Sequence, residues 1–237
     1  MTSHLKRIAT PKTWLISRKD TTYITKPKPG PHSLHNGIAL SIALREFLKV
    51  ARTAREAKII IKSKDVFVDK RKRSDEKYPV GLMDIIELPQ IELYYRILID
   101  KKGRLQGVKT DAKEASIKLS RIESKSKIKG GKIQLSLSDG RIIITDKDVY
   151  SIGDTLQLAL PEQKITAQIK CEKGALVLLT DGKHAGTIAT ADEISKDKII
   201  VEAGKNQKYE VLKAHAFVVG KEKPALDSIK QLMEKTK

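Results

Sequence analysis

Two lysines follow glycines in a way that invites a phosphate. Lys183 follows Gly182 in LLTDGKHAGTI, residues 178–188, and Lys132 follows the Gly130–Gly131 pair. A nucleotide-binding P-loop reads G-x-x-x-x-G-K-[ST] and opens a helix, because backbone amides cradle the phosphates while the hydroxyl holds Mg²⁺. Here Lys132 is followed by Ile133 and Lys183 by His184, and strand-like runs flank both. The hydroxyl is missing each time, so nucleotide chemistry is not expected. No G-x-G-x-x-G fingerprint and no G-x-S-x-G nucleophile elbow occurs. His32-x-x-His35 has metal-like spacing but lies in a Pro-rich stretch with no Cys, Asp or Glu nearby. It reads as phosphate contact or packing. The single cysteine, Cys171, has no partner for an internal disulfide and no motif around it. Asp139, Asp146, Asp148 and Asp154 read as turn residues. The expectation is a protein that is not an enzyme, with no catalytic residues, no metal site and no cofactor.

Charge is what the chain offers instead. Its 237 residues carry 47 Lys+Arg against 29 Asp+Glu, a net charge of +18. Such an excess points to a polyanion, either nucleic acid or an anionic membrane surface. Residues 1–73 hold 18 basic and 5 acidic side chains, and the remainder holds 29 and 24. The first third is therefore the expected anion-binding part. Its candidates are Lys6, Arg7, Lys12, Trp14 and Arg18, then Arg45, Lys49, Arg52, Arg55, Lys58 and Lys62, then Lys70, Arg71, Lys72 and Arg73. Lys183 and His184 join them at the tip of the Gly182 loop. Arg45, Lys49 and Arg52 are four and three apart, which on a helix places them on one face; so are Arg55, Lys58 and Lys62, three and four apart. Trp14, alone among cations, has two readings. It packs the arm onto the nearest domain, or it offers a stacking platform.

The elements that must hold these residues follow from pattern. Residues 1–35 form a basic, irregular extension, because Pro27, Pro29, Gly30 and Pro31 forbid a helix. In residues 36–92, NGIALSIALREFLKVA has helical apolar spacing, and TARE is a capping box that starts a second helix at Ala54. DVFVDKRKR and MDIIEL follow as strands about a YPVG turn, with Lys70–Arg73 in the connection. Residues 93–172 are short strands, including a hairpin over YYRILIDKKGRLQGV and another over KIQLSLSDGRIIIT, whose Asp139-Gly140 predicts a type I′ turn. Residues 173–220 hold five short strands, the size of a small closed barrel. In residues 221–237, Pro224 at the first helical position and Leu226, Ile229, Leu232 and Met233 on one stripe predict a docking helix. The class is α+β and multi-domain. No apolar run nears the ~18 residues of a membrane span, and no secretory signal follows the basic N-terminus. The expected location is soluble and intracellular, in a reducing compartment.

HLKRIATPKTWLISRKD, GPHSLHNGIALSIALREFLKVA, GGKIQLSLSDGR, IGDTLQLALPEQKI and KGALVLLTDGKHAGTI occur in that order. On these stretches the chain resembles the S4e family of small-subunit ribosomal proteins of archaea and eukaryotes, with a likeness that runs from His4 to about Gly220. The resemblance implies a helix–helix–strand RNA-binding module over residues 43–106, of the kind found in bacterial-type ribosomal protein S4 and in some pseudouridine synthases. It implies a β-rich middle and a KOW motif over residues 174–208, with Gly186 at the motif's glycine. It implies small-subunit ribosomal RNA and neighbouring small-subunit proteins as partners, a cytoplasmic ribosomal location and no membrane. The rival readings are an RNA-modifying enzyme that docks through the same module, and a KOW-type regulatory factor.

Overall fold

The computed structural model describes residues 4–63, 65–146, 148–203 and 207–234. The fold mixes helix and strand, with strand predominating. It divides into two compact units, Met1–Ile99 with Arg104–Ser116, and Asp100–Gly103 with Ile117–Lys237.

In the first unit the main sheet has five antiparallel strands, ordered Arg71–Lys72, Phe67–Val68, Ile85–Leu88, Leu93–Ile99 and Leu105–Lys109. Ile85–Leu88 is buried at every position, which explains why MDIIEL shows no alternation. Helix Ala54–Ser63 turns Ala57, Ile60 and Ile61 into the same core. Thr53 caps it: its Oγ1 accepts the Glu56 N–H at 3.1 Å. Glu56 Oε2 reaches back to the Arg52 N–H at 2.8 Å, one residue beyond the reciprocal bond of a capping box.

Three local expectations for this unit are overturned. Gly37–Ala39, read as the start of a helix, is a strand paired with Pro79–Gly81, so YPVG is a strand and not a turn. Gly37 and Gly81 face each other in that pair, and a Cβ on either would lie 2.7 or 2.5 Å from the His32 side chain. The glycines let the His32 loop close over the pair. The helix is then only Leu40–Ile42 continued by a π-turn, Ala43–Phe47. It stops because Lys49 is left-handed, φ 52°, and the Val50 and Ala51 amides return to the Leu44 carbonyl. Finally, the connection expected over Lys70–Arg73 is cut short, because Arg71–Lys72 is itself a strand. Asp69 and Lys70 have φ 53° and 61° and form the two-residue turn between Phe67–Val68 and Arg71–Lys72. Aspartate tolerates this conformation, and here its buried Oδ1 is pinned by the Ile85 N–H at 3.1 Å.

The second unit holds two five-stranded antiparallel sheets. The first is ordered Ile142–Thr145, Ile133–Leu137, Ile117–Lys127, Thr155–Ala159 and Lys164–Ile169. The long strand Ile117–Lys127 changes partner midway, pairing with Thr155–Ala159 up to Arg121 and with Ile133–Leu137 from Ile122. Its hairpin with Ile133–Leu137 closes through the Ile128 N–H on the Lys132 carbonyl, and the tip glycines Gly130 and Gly131 have open space where a Cβ would be. The Asp139-Gly140 turn is not type I′, which needs two positive φ values, because only Gly140 is left-handed. It is a three-residue loop in which the Leu137 N–H reaches the Arg141 carbonyl. Asp139 is held otherwise by its carboxylate. Its Oδ2 takes Lys118 Nζ, Arg141 Nε and Ser120 Oγ, each at 3.1 Å, in a buried cluster. Asp154 is likewise more than a turn residue: it accepts the Cys171 and Ser151 amides and Gln168 Nε2.

The second sheet is ordered Gln207–Leu212, Lys198–Ala203, Ile188–Ile194, Leu176–Leu179 and Ala216–Gly220. Helix Asp227–Glu234 follows. It starts three residues after Pro224, which instead bridges to Gly220, so the proline is not at the first helical position. Leu226, Ile229 and Leu232 are buried as the stripe predicts. The side chain of Met233 lies outside the described residues. No helix among the described residues is long and apolar enough to cross a membrane.

Candidate nucleic-acid interface

Among the candidate cations the structure separates those turned outward from those the fold consumes. Helix Ala54–Ser63 is the clearest outward case. Arg55, Lys58 and Lys62 are all exposed on the face opposite Ala57, Ile60 and Ile61. Lys58 is drawn to Glu76 at 3.5 Å. Among the described residues Arg55 and Lys62 have no ion-pair partner. Ile59, 56 % exposed, lies between them, an apolar residue on a basic face that charge counting does not find.

The preceding triplet does not share a helix face. Arg45 lies in the π-turn with Nη2 2.9 Å from Glu46 Oε1, Lys49 is the left-handed residue that ends it, and Arg52 lies beyond. Lys49 and Arg52 are nonetheless exposed.

In the quartet 70–73 three of four side chains are engaged. Lys70 Nζ is 2.9 Å from Glu87 Oε2, Lys72 pairs with Asp65, and the Arg73 guanidinium lies 4.2 Å from the Tyr78 ring centroid. Burial pushes the Glu87 carboxyl above its ordinary pKa, with the Lys70 hydrogen bond pulling the other way. Arg71 is exposed, and among the described residues it has no ion-pair partner.

The basic extension divides in the same way. Lys6 and Lys12 are exposed. Arg7 is 1 % exposed: its guanidinium bonds the Ser17 carbonyl and lies 3.3 Å from Asp20 and 3.5 Å from Glu46. Arg18 donates to the carbonyls of Ile8, Thr10 and Pro11 at 3.1, 2.9 and 2.9 Å, clamping the extension on itself. Both belong to the scaffold and are withdrawn from the RNA-contact set. Trp14 is withdrawn too. It is 2 % exposed, with its indole N–H donating to the Gly37 carbonyl at 3.0 Å, so the ring packs and has no face free for a base.

His32, of the His-x-x-His pair, is a packing residue: Nε2 lies 2.8 Å from Asp84 Oδ2, which also accepts the Gly81 N–H. Among the described residues no group of three or more His, Cys, Asp or Glu side chains is arranged to hold a metal. In the second unit Lys183 is exposed, while His184 stacks on Tyr209 with ring centroids 3.8 Å apart. Gly182 and Gly186 are both left-handed, and a Cβ on Gly186 would fall 2.0 Å from the Asp100 carbonyl oxygen. The loop is a turn that holds Lys183 in water.

Comparison with known proteins gives two family matches, Ribosomal family S4e over residues 91–165 and the RS4NT (NUC023) domain over residues 1–35. The small ribosomal subunit protein eS4 of Methanosphaera stadtmanae is 43% identical over 231 residues, covering 95% of this chain and 95% of its own. That of Methanocaldococcus jannaschii is 42% identical over 236 residues, covering 94% and 96%. Among solved structures, the 30S ribosomal protein S4e from Thermoplasma acidophilum is similar with a TM-score of 0.69 at 31% identity, covering 78% of this chain and 96% of that one.

Proposed function

The chain belongs to ribosomal family S4e, and on that premise we propose that it is held in the small ribosomal subunit by direct contact with ribosomal RNA. The family is a structural component of the subunit and not an enzyme. The observation that carries the RNA reading is the outward set of cations that have no ion-pair partner among the described residues, Lys6, Lys12, Lys49, Arg52, Arg55, Lys62, Arg71 and Lys183, in a chain of net charge +18. Each neutralises a phosphate and releases a condensed counterion, which drives association entropically. Within each unit the fold fixes where these cations stand, which gives shape selection, the means by which folded RNA is told apart. Residues 36–92 act as the main RNA-binding module, and residues 173–220 act as a KOW-type barrel that presents Lys183. Neighbouring small-subunit proteins are the remaining partners.

Sedimentation after a salt wash tests this. A core subunit protein stays with the small subunit through a wash that strips loosely held factors. Release at moderate salt would move the protein to the class of transient factors and defeat the proposal.

A further inference from the structure

We propose that Tyr23, with Lys6 opposite it, is a stacking site for an unpaired base of RNA. The proposal rests on the RNA-binding reading above and adds a contact that charge alone does not supply.

Phe, Trp and Tyr make up only 4% of the chain. Among the described residues Tyr23 is the one such ring left largely in water, 57% exposed. An aromatic left outside when rings are scarce and cores are aliphatic calls for a partner.

The two-stranded ribbon explains its direction. Leu5 pairs with Ile24 and Lys6 with Tyr23. Leu5 and Ile24 pack against the core of the first unit. Residues directly opposite share a face and successive residues alternate, so Lys6 and Tyr23 stand together on the outer face, their Cβ atoms about 5 Å apart. His4, two residues before Lys6, falls on that face too. Its ring is tilted 53° against Tyr23 with centroids 5.7 Å apart, so it braces the tyrosine without covering it.

The platform is tied down by neighbouring bonds. The Arg7 N–H bonds the Thr22 carbonyl at 2.9 Å beside the ribbon, and the buried Arg7 guanidinium ties Ser17, Asp20 and Glu46 together. Holding the ring in place before binding lowers the entropy lost on contact. A flat ring beside an ammonium group matches one nucleotide, base on the ring and phosphate on Lys6. Every base has a π-face, so the site takes any base that the RNA leaves unpaired.

Stacking and charge have different salt signatures, and that is the test. The full chain is titrated with a small-subunit ribosomal RNA transcript across a range of salt, as wild type, Tyr23→Phe and Tyr23→Leu, with thermal melts confirming that each is folded. Tyr23→Leu is expected to weaken binding by about 5-fold or more at every salt, the lower end of what one stacked base contributes, with the slope of log affinity against log salt unchanged. Tyr23→Phe is expected to bind within about 2-fold of wild type, since the π-face is kept. If wild type binds with a steep slope and Tyr23→Leu binds equally well, the stacking site is refuted and the RNA reading stands. If Tyr23→Phe falls as far as Tyr23→Leu, or the slope changes with either, the contact is not stacking and the proposal is overturned. A wild-type slope shallower than about −2 defeats the RNA reading itself, and this site with it.

Discussion

Neutralising Arg55 and Lys62 together gives the sharpest test of the electrostatic account. Both side chains are exposed on the outward face of helix Ala54–Ser63 and lack ion-pair partners among the described residues. Arg55→Gln with Lys62→Gln should therefore shift folding stability by no more than about 0.5 kcal/mol. Each phosphate contact contributes about 0.9 to the salt slope on a duplex and about 0.7 on a single strand. Eight outward cations then set a wild-type slope of about −6 to −7, and losing two of them makes it shallower by about 1.4 to 1.8. Over a fourfold change in salt, from about 50 to 200 mM, the ratio of wild-type to variant affinity should shrink by about 7- to 12-fold. Equilibrium titration of labelled small-subunit RNA at several salt concentrations reads this directly. Lys230→Gln, on the C-terminal helix, removes one charge where no contact is assigned and should leave the slope within about 0.3 of wild type. An unchanged slope in the double variant would show that this face does not touch phosphate. An equal change per charge in Lys230→Gln would show that net charge acts at long range and no particular face is used.

Other outcomes follow from the interior. Asp139→Asn leaves the buried Lys118 ammonium and the Arg141 guanidinium without their shared carboxylate and should cost about 3–5 kcal/mol in urea unfolding; a loss under ~1 kcal/mol would mean the cluster is already balanced without it. Gly186→Ala combines a left-handed backbone with a Cβ 2.0 Å from the Asp100 oxygen, so a marked drop in melting temperature is expected, beyond the roughly 1–2 kcal/mol of the conformation alone. Trp14→Phe should lower stability by about 1–3 kcal/mol through the lost bond to Gly37, with RNA affinity of the folded protein unchanged; weakened affinity would return Trp14 to the binding surface. The Lys28 hydrogen bond, first, and the Lys77 amide hold the Asp75 carboxyl below its ordinary pKa. A depressed carboxylate stabilises the fold above its unfolded pKa and loses that contribution as pH falls through the folded value. Asp75→Asn should thus be less stable than wild type by at most about 1 kcal/mol near neutrality, with the difference shrinking as pH falls through the carboxyl's lowered folded value.

Much of the layout was legible because it is carried by periodicity. The amphipathic helix at Ala54, its Thr53 cap and the hairpins closed by Gly103 and Gly140 all follow from residues within a few positions of each other. What was not legible depends on distant partners. Gly37–Ala39 has helical apolar spacing, yet pairing with Pro79–Gly81, over forty residues on, makes it a strand. The Asp69-Lys70 turn has no glycine to announce it, because its strain is borne by a hydrogen bond from Ile85. The candidate interface shows the same split. Sequence counts cations without knowing which ones find carboxylates or carbonyls, so Arg7 and Arg18 look like Lys6 and Lys12 until the extension folds around them. The rings are sorted by distant partners too: Trp14 is drawn inside by its bond to Gly37, while the pairing of Lys6 with Tyr23 leaves Tyr23 outside.

The hairpin tip at Gly130–Gly131 has a practical consequence. The ladder below it is sealed by the Ile128–Lys132 hydrogen bond, and nothing lies within 4 Å of where side chains on the two glycines would begin. Exposed tips of this kind accept inserted sequence with little disturbance to the domain that carries them. A short tag spliced between the two glycines, keeping both, would give a handle for fluorescent labelling on a face of the second unit far in sequence from the basic extension. Uptake of the labelled protein into assembling subunits could then be followed in real time.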